Sequence, residues 1–157
     1  MADGQDREPG SFPYVFVIEK PNGVKQGAGP MIQSIFENCG FILVNQCFHH
    51  NSVGGGVEDK FARHYIEHKD KDFYQGLVEE MSNSGPFVSL IYRYPAKPKT
   101  EAHPATTARD ICKVVRAMYQ ESIRHNAIHV SDSEVAARRE IGVWMGEDFV
   151  RGCLEWP

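Results

Sequence analysis

The chain has 157 residues, of which 41% are hydrophobic and 24% charged, and its formal net charge is −4. This length indicates one domain, and the acidic balance gives no general attraction to nucleic acid or to anionic lipid. No apolar run reaches the roughly 18 residues that a membrane-spanning helix needs. Because the N-terminus is polar and carries no apolar leader segment, we expect a disordered tail over 1–12, one domain over 13–157 and a cytosolic location.

Apolar runs predict strands in this sequence, and apolar residues at helical spacing predict helices. In chain order the sequence predicts a strand over 14–20, a Pro-Gly break over 20–23, a helix over 29–40, a strand over 41–50, helices over 57–68 and 72–82, a strand over 85–94, a Pro-rich loop over 95–104, a helix over 107–121, a strand over 126–130 and a helix over 131–142. The buried face of the helix over 29–40 is predicted to comprise Ile32, Ile35, Phe36 and Cys39.

The two later helices have their own sequence signals. Over 107–121 the predicted apolar face consists of Ile111, Val114, Val115, Met118 and Tyr119. The helix over 131–142 begins with the capping-box spacing Ser131-x-x-Glu134. Strands interleaved with helices in this order favour a layered α/β or α+β domain. A ferredoxin-like βαββαβ sandwich fits, with a four-stranded antiparallel sheet, surrounding helices and the pair over 57–82 inserted between the second and third strands.

The segment "NAIHVSDS" (126–133) places His129 between an apolar strand and the start of a helix. Backbone N–H groups at a helix N-terminus favour an anion such as phosphate, and an imidazole there can take up a phosphoryl group covalently. One ring nitrogen must then be free while an acceptor holds the other, and Glu140 on the following helix is a candidate acceptor. The alternative is a buried structural histidine that closes the strand.

Two further features also have a functional and a structural interpretation. Lys20 lies where the first strand ends, so its ammonium group either reaches a substrate phosphate or is simply solvated in a turn. His64 and His68 have the i, i+4 spacing of two metal ligands. Since the sequence marks no third ligand and has no H-E-x-x-H motif, we predict no metal bound by the protein itself.

Five segments in order resemble the nucleoside diphosphate kinase family. They are "EKPNGV" (19–24), "HYIEHKDKDFYQGLV" (64–78), "SGPFV" (84–88), "NAIHVSDS" (126–133) and "REIGVW" (139–144). The resemblance implies transfer of the γ-phosphate of a nucleoside triphosphate to a nucleoside diphosphate. It further implies a ping-pong reaction through a phosphohistidine, with Mg²⁺ bound through the nucleotide phosphates.

The resemblance also implies a role for each residue that matches a family motif. His129 is the phosphorylated nucleophile, and Glu140 orients its other ring nitrogen. The implied substrate contacts are Lys20 and Tyr65 with the transferring phosphate, Arg116 and Ser122 from the helix motif, Asn126 with the sugar hydroxyl, Phe73 stacked on the base and Leu77 packed beside it. One family arginine has no direct match, and its possible substitutes are Arg124 and Arg109.

The sequence departs from the family pattern at points that bear on turnover and assembly. Val130 replaces the usual Gly after the histidine, and Asn22 replaces the usual Asp. On the alignment we prefer, Arg116 is the helix arginine and the family's long loop is almost absent before Asn126; a rival alignment makes Arg116 the loop arginine. We therefore expect a homo-oligomer, with a dimer favoured over a hexamer. The alternative function is a catalytically weak or inactive member that binds nucleotide or a partner protein.

Overall fold

The computed structural model describes residues 12–50, 57–94, 104–119 and 126–155. Its strands are β1 (Tyr14–Glu19), β2 (Ile42–His49), β3 (Phe87–Arg93) and β4 (Ile128–Val130). They form one sheet in the order β2-β3-β1-β4, and every neighbouring pair is antiparallel. This order confirms the predicted ferredoxin-like sandwich. β1 is an internal strand, and the short edge strand β4 pairs with it. In this register His129 lies opposite Ile18.

In the described part of the chain, helices pack around this sheet. They are α1 (Pro21–Gln26), α2 (Gly29–Asn38), α3 (Val57–His64), α4 (Tyr74–Asn83), α5 (Pro104–Tyr119), α6 (Glu134–Met145) and α7 (Glu147–Glu155), with a short 3-10 helix at Ile66–His68. The sequence did not predict α1 or α7. It also predicted one continuous helix over 57–68, whereas α3 ends at His64 and the 3-10 helix follows.

The Pro-Gly segment after β1 ends the strand, as predicted, but it then begins a helix rather than a simple turn. The fixed φ of Pro21 suits the first turn of a helix, where its missing N–H costs nothing. Gly23 lets α1 lie against the chain that enters β4, because a Cβ atom there would come within 2.5 Å of the Ala127 carbonyl oxygen. The backbone N–H of Lys20 donates to the same oxygen at 2.8 Å. These contacts hold the end of β1 beside the start of β4.

Helices bury both faces of the sheet along β1 and β3, whereas no residue of the edge strand β2 is buried. Along β1, Val15 and Val17 point to one core while Phe16 and Ile18 point to the other. The first core is closed by α2 and α5, and the second by α3, α4, α6 and α7. Among the described residues, no helix is both long and apolar enough to cross a bilayer.

Two predicted helix faces were partly wrong. On α5 the buried stripe runs through Ala108, Ile111, Cys112 and Val115, whereas Val114 and Met118 are 51% and 52% exposed. This stripe still has helical spacing and shares Ile111 and Val115 with the predicted face, but it includes Ala108 and Cys112 in place of Val114 and Met118. On α2, Ile32 and Phe36 are buried as predicted; Cys39 is exposed because the helix ends at Asn38.

The predicted capping box of α6 was wrong by two residues. Ser133 is the N-cap, and its hydroxyl accepts a hydrogen bond from the Ala136 N–H at 3.0 Å. Ser131 instead accepts one from the backbone N–H of Phe16 at 3.0 Å, so it ties the end of β4 to the central strand. Of the predicted tail and Pro-rich loop, residues 1–11 and 95–103 lie outside the described part, whereas Phe12 is buried against Tyr14.

Candidate active site

A pocket of about 560 Å³ lies where β4 meets the helices of both layers. Eight of the ten site residues predicted from the sequence line it: Lys20, Tyr65, Phe73, Leu77, Arg116, Asn126, His129 and Glu140. The remaining two, Ser122 and Arg124, fall outside the described residues. The fold therefore brings residues from five separate chain segments into one cavity, although their chemical roles stay predictions.

At the centre of the pocket is a histidine held by a carboxylate. Nε2 of His129 makes a short hydrogen bond with Oε1 of Glu140, which reaches back from α6. Glu140 is almost wholly buried, at 2% exposure, while the His129 side chain keeps 18% of its surface exposed. Since Glu140 engages Nε2, Nδ1 is the His129 nitrogen that remains for chemistry with a substrate.

His64 is a member of this cluster that the sequence analysis did not assign. Its Nε2 lies 3.0 Å from Oε1 of Glu140 and 3.0 Å from Nε2 of His129. Its Nδ1 accepts a hydrogen bond at 3.0 Å from the indole N–H of Trp144. His64 and Trp144 both lie inside segments that resemble the family, and that was the available signal. Helical spacing instead pairs His64 with His68, which lies beside the ring of Phe73.

Burial and mutual contact set the charges of the cluster. Burial alone would raise the pKa of Glu140, but the His129 and His64 rings outweigh it and lower this pKa to about 2. Burial lowers the pKa of His64 to about 4, although the Glu140 charge opposes this shift. At neutral pH the cluster therefore contains an ionised Glu140 and a neutral His64, and their contact is a hydrogen bond rather than a salt bridge.

Cationic side chains line the wall next to this cluster. Lys20 is only 7% exposed, so the alternative of a solvated turn lysine is wrong. Burial, together with the nearby Arg116 charge, lowers the pKa of Lys20 to about 8. Nε and Nη2 of Arg116 donate to the Ile128 carbonyl oxygen at 3.3 and 3.2 Å, which anchors this guanidinium beside β4. Arg109 and Lys113 extend the same wall along α5.

Aromatic side chains form another part of the lining. Tyr65 is buried, and its ring centroid lies 5.7 Å from that of His129. Burial raises the pKa of Tyr65, so its hydroxyl stays protonated and can donate a hydrogen bond to an anion. Phe73 is 42% exposed and Leu77 lies one turn further along, so the two contribute an apolar platform to the pocket lining.

His64, His129 and Glu140 also form a group with metal-binding chemistry. Their ligand atoms lie within 4.8 Å of one another. The hydrogen bonds from both rings to Glu140 account for this closeness, and two imidazoles suit zinc better than magnesium. We therefore interpret the cluster as a hydrogen-bonded group around the charged Glu140 rather than as a metal site.

This combination of fold, carboxylate-held histidine and cationic wall is typical of a protein that handles phosphate groups. Comparisons with known proteins agree with that class. The family model for nucleoside diphosphate kinase matches residues 14–150. A nucleoside diphosphate kinase of Gallus gallus is 37% identical over 135 residues, which cover 82% of each chain. Nucleoside diphosphate kinase A of Homo sapiens is 35% identical over 135 residues, covering 82% of this chain and 83% of the relative.

Solved structures show the same relationship. The structure of a nucleoside diphosphate kinase family protein from Babesia bovis superposes with a TM-score of 0.65 at 26% identity, covering 86% of this chain and 89% of the other. The Aquifex aeolicus nucleoside diphosphate kinase gives a TM-score of 0.61 at 26% identity, with 83% and 92% covered. This chain belongs to the nucleoside diphosphate kinase family.

Proposed function

We propose that the protein is a nucleoside diphosphate kinase that works by a ping-pong mechanism through a phosphohistidine at His129. The observation that carries this proposal is the hydrogen bond between His129 Nε2 and a buried, ionised Glu140, which leaves Nδ1 for the pocket. An imidazole in that tautomer has a lone pair on Nδ1 and can act as a nucleophile.

The proposed reaction has two half-steps that mirror each other. The Nδ1 lone pair of His129 forms a bond to the γ-phosphorus, the bond from that phosphorus to the bridging oxygen breaks, and a nucleoside diphosphate leaves. The ring then carries positive charge, which the Glu140 carboxylate stabilises from the Nε2 side. In the second half-step a terminal phosphate oxygen of another diphosphate attacks the same phosphorus. The N–P bond breaks and neutral His129 is restored.

The cationic wall fits the phosphates of such a nucleotide. Lys20, Arg116 and the hydroxyl of Tyr65 converge on the pocket beside His129, where positive charge and hydrogen-bond donors offset developing negative charge. The pocket also fits the implied Mg²⁺, because Mg²⁺ prefers oxygen ligands and needs few from the protein, and Asp132 supplies a carboxylate there. When bound, Mg²⁺ would neutralise part of the phosphate charge.

The apolar platform fits the nucleoside. We assign Phe73 to stacking on the base, with Leu77 packed beside it, and Asn126 to the sugar hydroxyl. Stacking uses the π-face that every base has, so this platform supports broad base tolerance.

Two departures from the family pattern affect the expected rate. Val130 lines the pocket directly beside the reacting histidine, where the family has a glycine without a side chain. Of the two candidates for the unmatched arginine, Arg109 lines the pocket, which supports it as the substitute, while Arg124 and Ser122 stay predictions. If these changes shift the position of the bound phosphates, turnover is slow. That outcome corresponds to the alternative of a mainly nucleotide-binding member.

We propose that the protein is a homo-oligomer and that a dimer is favoured. Only residues 120–125 join α5 to Asn126, which leaves little length for the family's long loop. The sheet edge formed by β2 is eight residues long and carries exposed apolar side chains, among them Ile42 and Phe48 at 50% exposure each. An edge of this kind is suited to pairing with a second copy. A cytosolic location also stays a prediction.

Steady-state kinetics test the proposed activity. With ATP as donor and a different nucleoside diphosphate as acceptor, a ping-pong enzyme gives parallel lines in double-reciprocal plots at several fixed acceptor concentrations. Binding of nucleotide, measured by calorimetry, without any exchange of the γ-phosphate would instead establish the binding-module alternative. His129→Ala is the control that must abolish exchange while it retains binding.

A further inference from the structure

The chain of hydrogen bonds behind His129 extends beyond Glu140 and leads away from the substrate. Trp144 donates to Nδ1 of His64, and Nε2 of His64 reaches Oε1 of Glu140. Trp144, His64 and Glu140 are all buried. Trp144 is not among the residues that line the pocket. His64 borders the pocket but is only 1% exposed, and it lies against both Glu140 and His129. We therefore treat His64 and Trp144 as positioning residues.

The donor-only character of the indole fixes where the protons of this chain lie. An indole N–H cannot accept a hydrogen bond, so Nδ1 of His64 must be unprotonated and the proton of the neutral ring lies on Nε2. That N–H faces two atoms at 3.0 Å, Oε1 of Glu140 and Nε2 of His129. Because an ionised carboxylate only accepts, His129 Nε2 must itself carry a proton towards Glu140. The His64 proton is therefore left to Glu140 as well.

Both protons converge on one oxygen of the carboxylate. The other oxygen, Oε2, is buried and has no hydrogen-bond partner among the described residues. His64 thus supplies one of the two hydrogen bonds that keep a buried carboxylate charged and in place. If His64 took a second proton, it would lose the bond from Trp144, and its positive charge would compete with His129 for the charge of Glu140.

We propose that Trp144 and His64 form a tautomer lock, in which the indole holds His64 as a neutral Nε2–H donor so that Glu140 stays aimed at, and reserved for, His129. This inference rests on the proposed role of His129 as the phosphorylated group. The lock matters most when the His129 ring becomes positive, since Glu140 then has only one cation to stabilise. The charged or titratable groups around His64 are Glu140 and Arg139 of α6 and His129 of β4, with Tyr65 beside its ring.

The tautomer can be read directly, without substrate, by nitrogen-15 NMR of histidine side chains. In the wild-type protein at pH 7, Nδ1 of His64 is expected at the shift of an unprotonated imidazole nitrogen and Nε2 at that of a protonated one. Trp144→Phe keeps the aromatic packing but removes the N–H, so averaged shifts from two tautomers are expected. Trp156→Phe, at the chain's other tryptophan, is the matched control. A protonated Nδ1 in the wild type overturns the proposal.

Kinetics of three variants test whether the lock serves the reaction. His64→Leu removes the donor to a buried charge, and we expect kcat to fall about tenfold to a hundredfold with KM nearly unchanged. His64→Gln retains an N–H donor near the same place, and most of the rate should return. Trp144→Phe is expected to lower kcat about twofold to tenfold, the range for a neutral hydrogen bond.

The pH profile separates a lock from a merely structural role. In Trp144→Phe the His64 ring can take a second proton more easily, so the acid limb of kcat should move to higher pH, whereas in His64→Gln it should not. A loss of rate with an unmoved acid limb in Trp144→Phe, or equal rates for His64→Leu and His64→Gln, contradicts the proposal. If the wild-type protein shows no phosphotransfer, the NMR result still decides the tautomer, so the two failures are distinguishable.

Discussion

The neutral, fully buried His64 predicts a specific loss of stability in mild acid. A lowering of the pKa of His64 from 6.5 in the unfolded chain to about 4 in the folded protein corresponds to about 3 kcal/mol, at 1.36 kcal/mol per pH unit. Between these two pH values the unfolded state binds the extra proton. The free energy of unfolding should therefore fall as the pH drops from 6.5 towards 4, and it should be insensitive to this group above pH 7.

Urea denaturation at a series of pH values measures this effect, with His64→Gln as the comparison because glutamine does not titrate. We expect the wild-type unfolding free energy to decrease by about 3 kcal/mol more than that of the variant, mostly between pH 6.5 and 4.5. Burial and Lys60 also lower the pKa of His49, but that group is present in both proteins and cancels in the difference. Parallel pH curves for the two proteins would refute the placement of a neutral His64 in the cluster.

Two further predictions concern the substrate side of the pocket. Because the pKa of Lys20 is lowered to about 8, its positive charge is lost above that pH, so kcat/KM should decline along an alkaline limb near pH 8 that Lys20→Met lacks; a Lys20→Met profile with the same limb would contradict this. Phe73→Ala should raise the nucleotide KM about tenfold with little change in kcat, since stacking on one base contributes roughly 1–3 kcal/mol. Inorganic tripolyphosphate has no base, so its inhibition constant should be the same in Phe73→Ala and wild type, and a parallel loss would contradict the stacking role.

Ordered motifs explain why so much of the pocket could be predicted from the sequence. Lys20, Tyr65 and Glu140 each lie inside a short segment that resembles a family motif on its own. The fold then brings those segments together. The strands were similarly predictable, because β1 and β3 are nearly continuous apolar runs buried on both faces. Where the local pattern and the tertiary packing agree, sequence reasoning reaches the correct element.

The contacts that could not be predicted from the sequence are those between residues far apart along the chain. Trp144 and His64 are 80 positions apart, and their hydrogen bond exists only because α6 packs on α3. His64 instead suggested a pair with His68, which is the neighbour that helical spacing offers. Likewise, Pro21 suits a turn as well as the first turn of a helix, and the close contact of Gly23 with Ala127 could not be predicted from the local sequence.

The central claim is that His129 carries the phosphoryl group, and trapping that intermediate tests it most directly. Wild-type protein is incubated with ATP labelled at the γ-phosphate and Mg²⁺, and the modified residue is located by fragmentation mass spectrometry. We predict one label on His129, stable to base, labile to acid, discharged by added nucleoside diphosphate and lost in His129→Ala. A label on another residue, or no label in wild-type protein that binds ATP, would contradict the account.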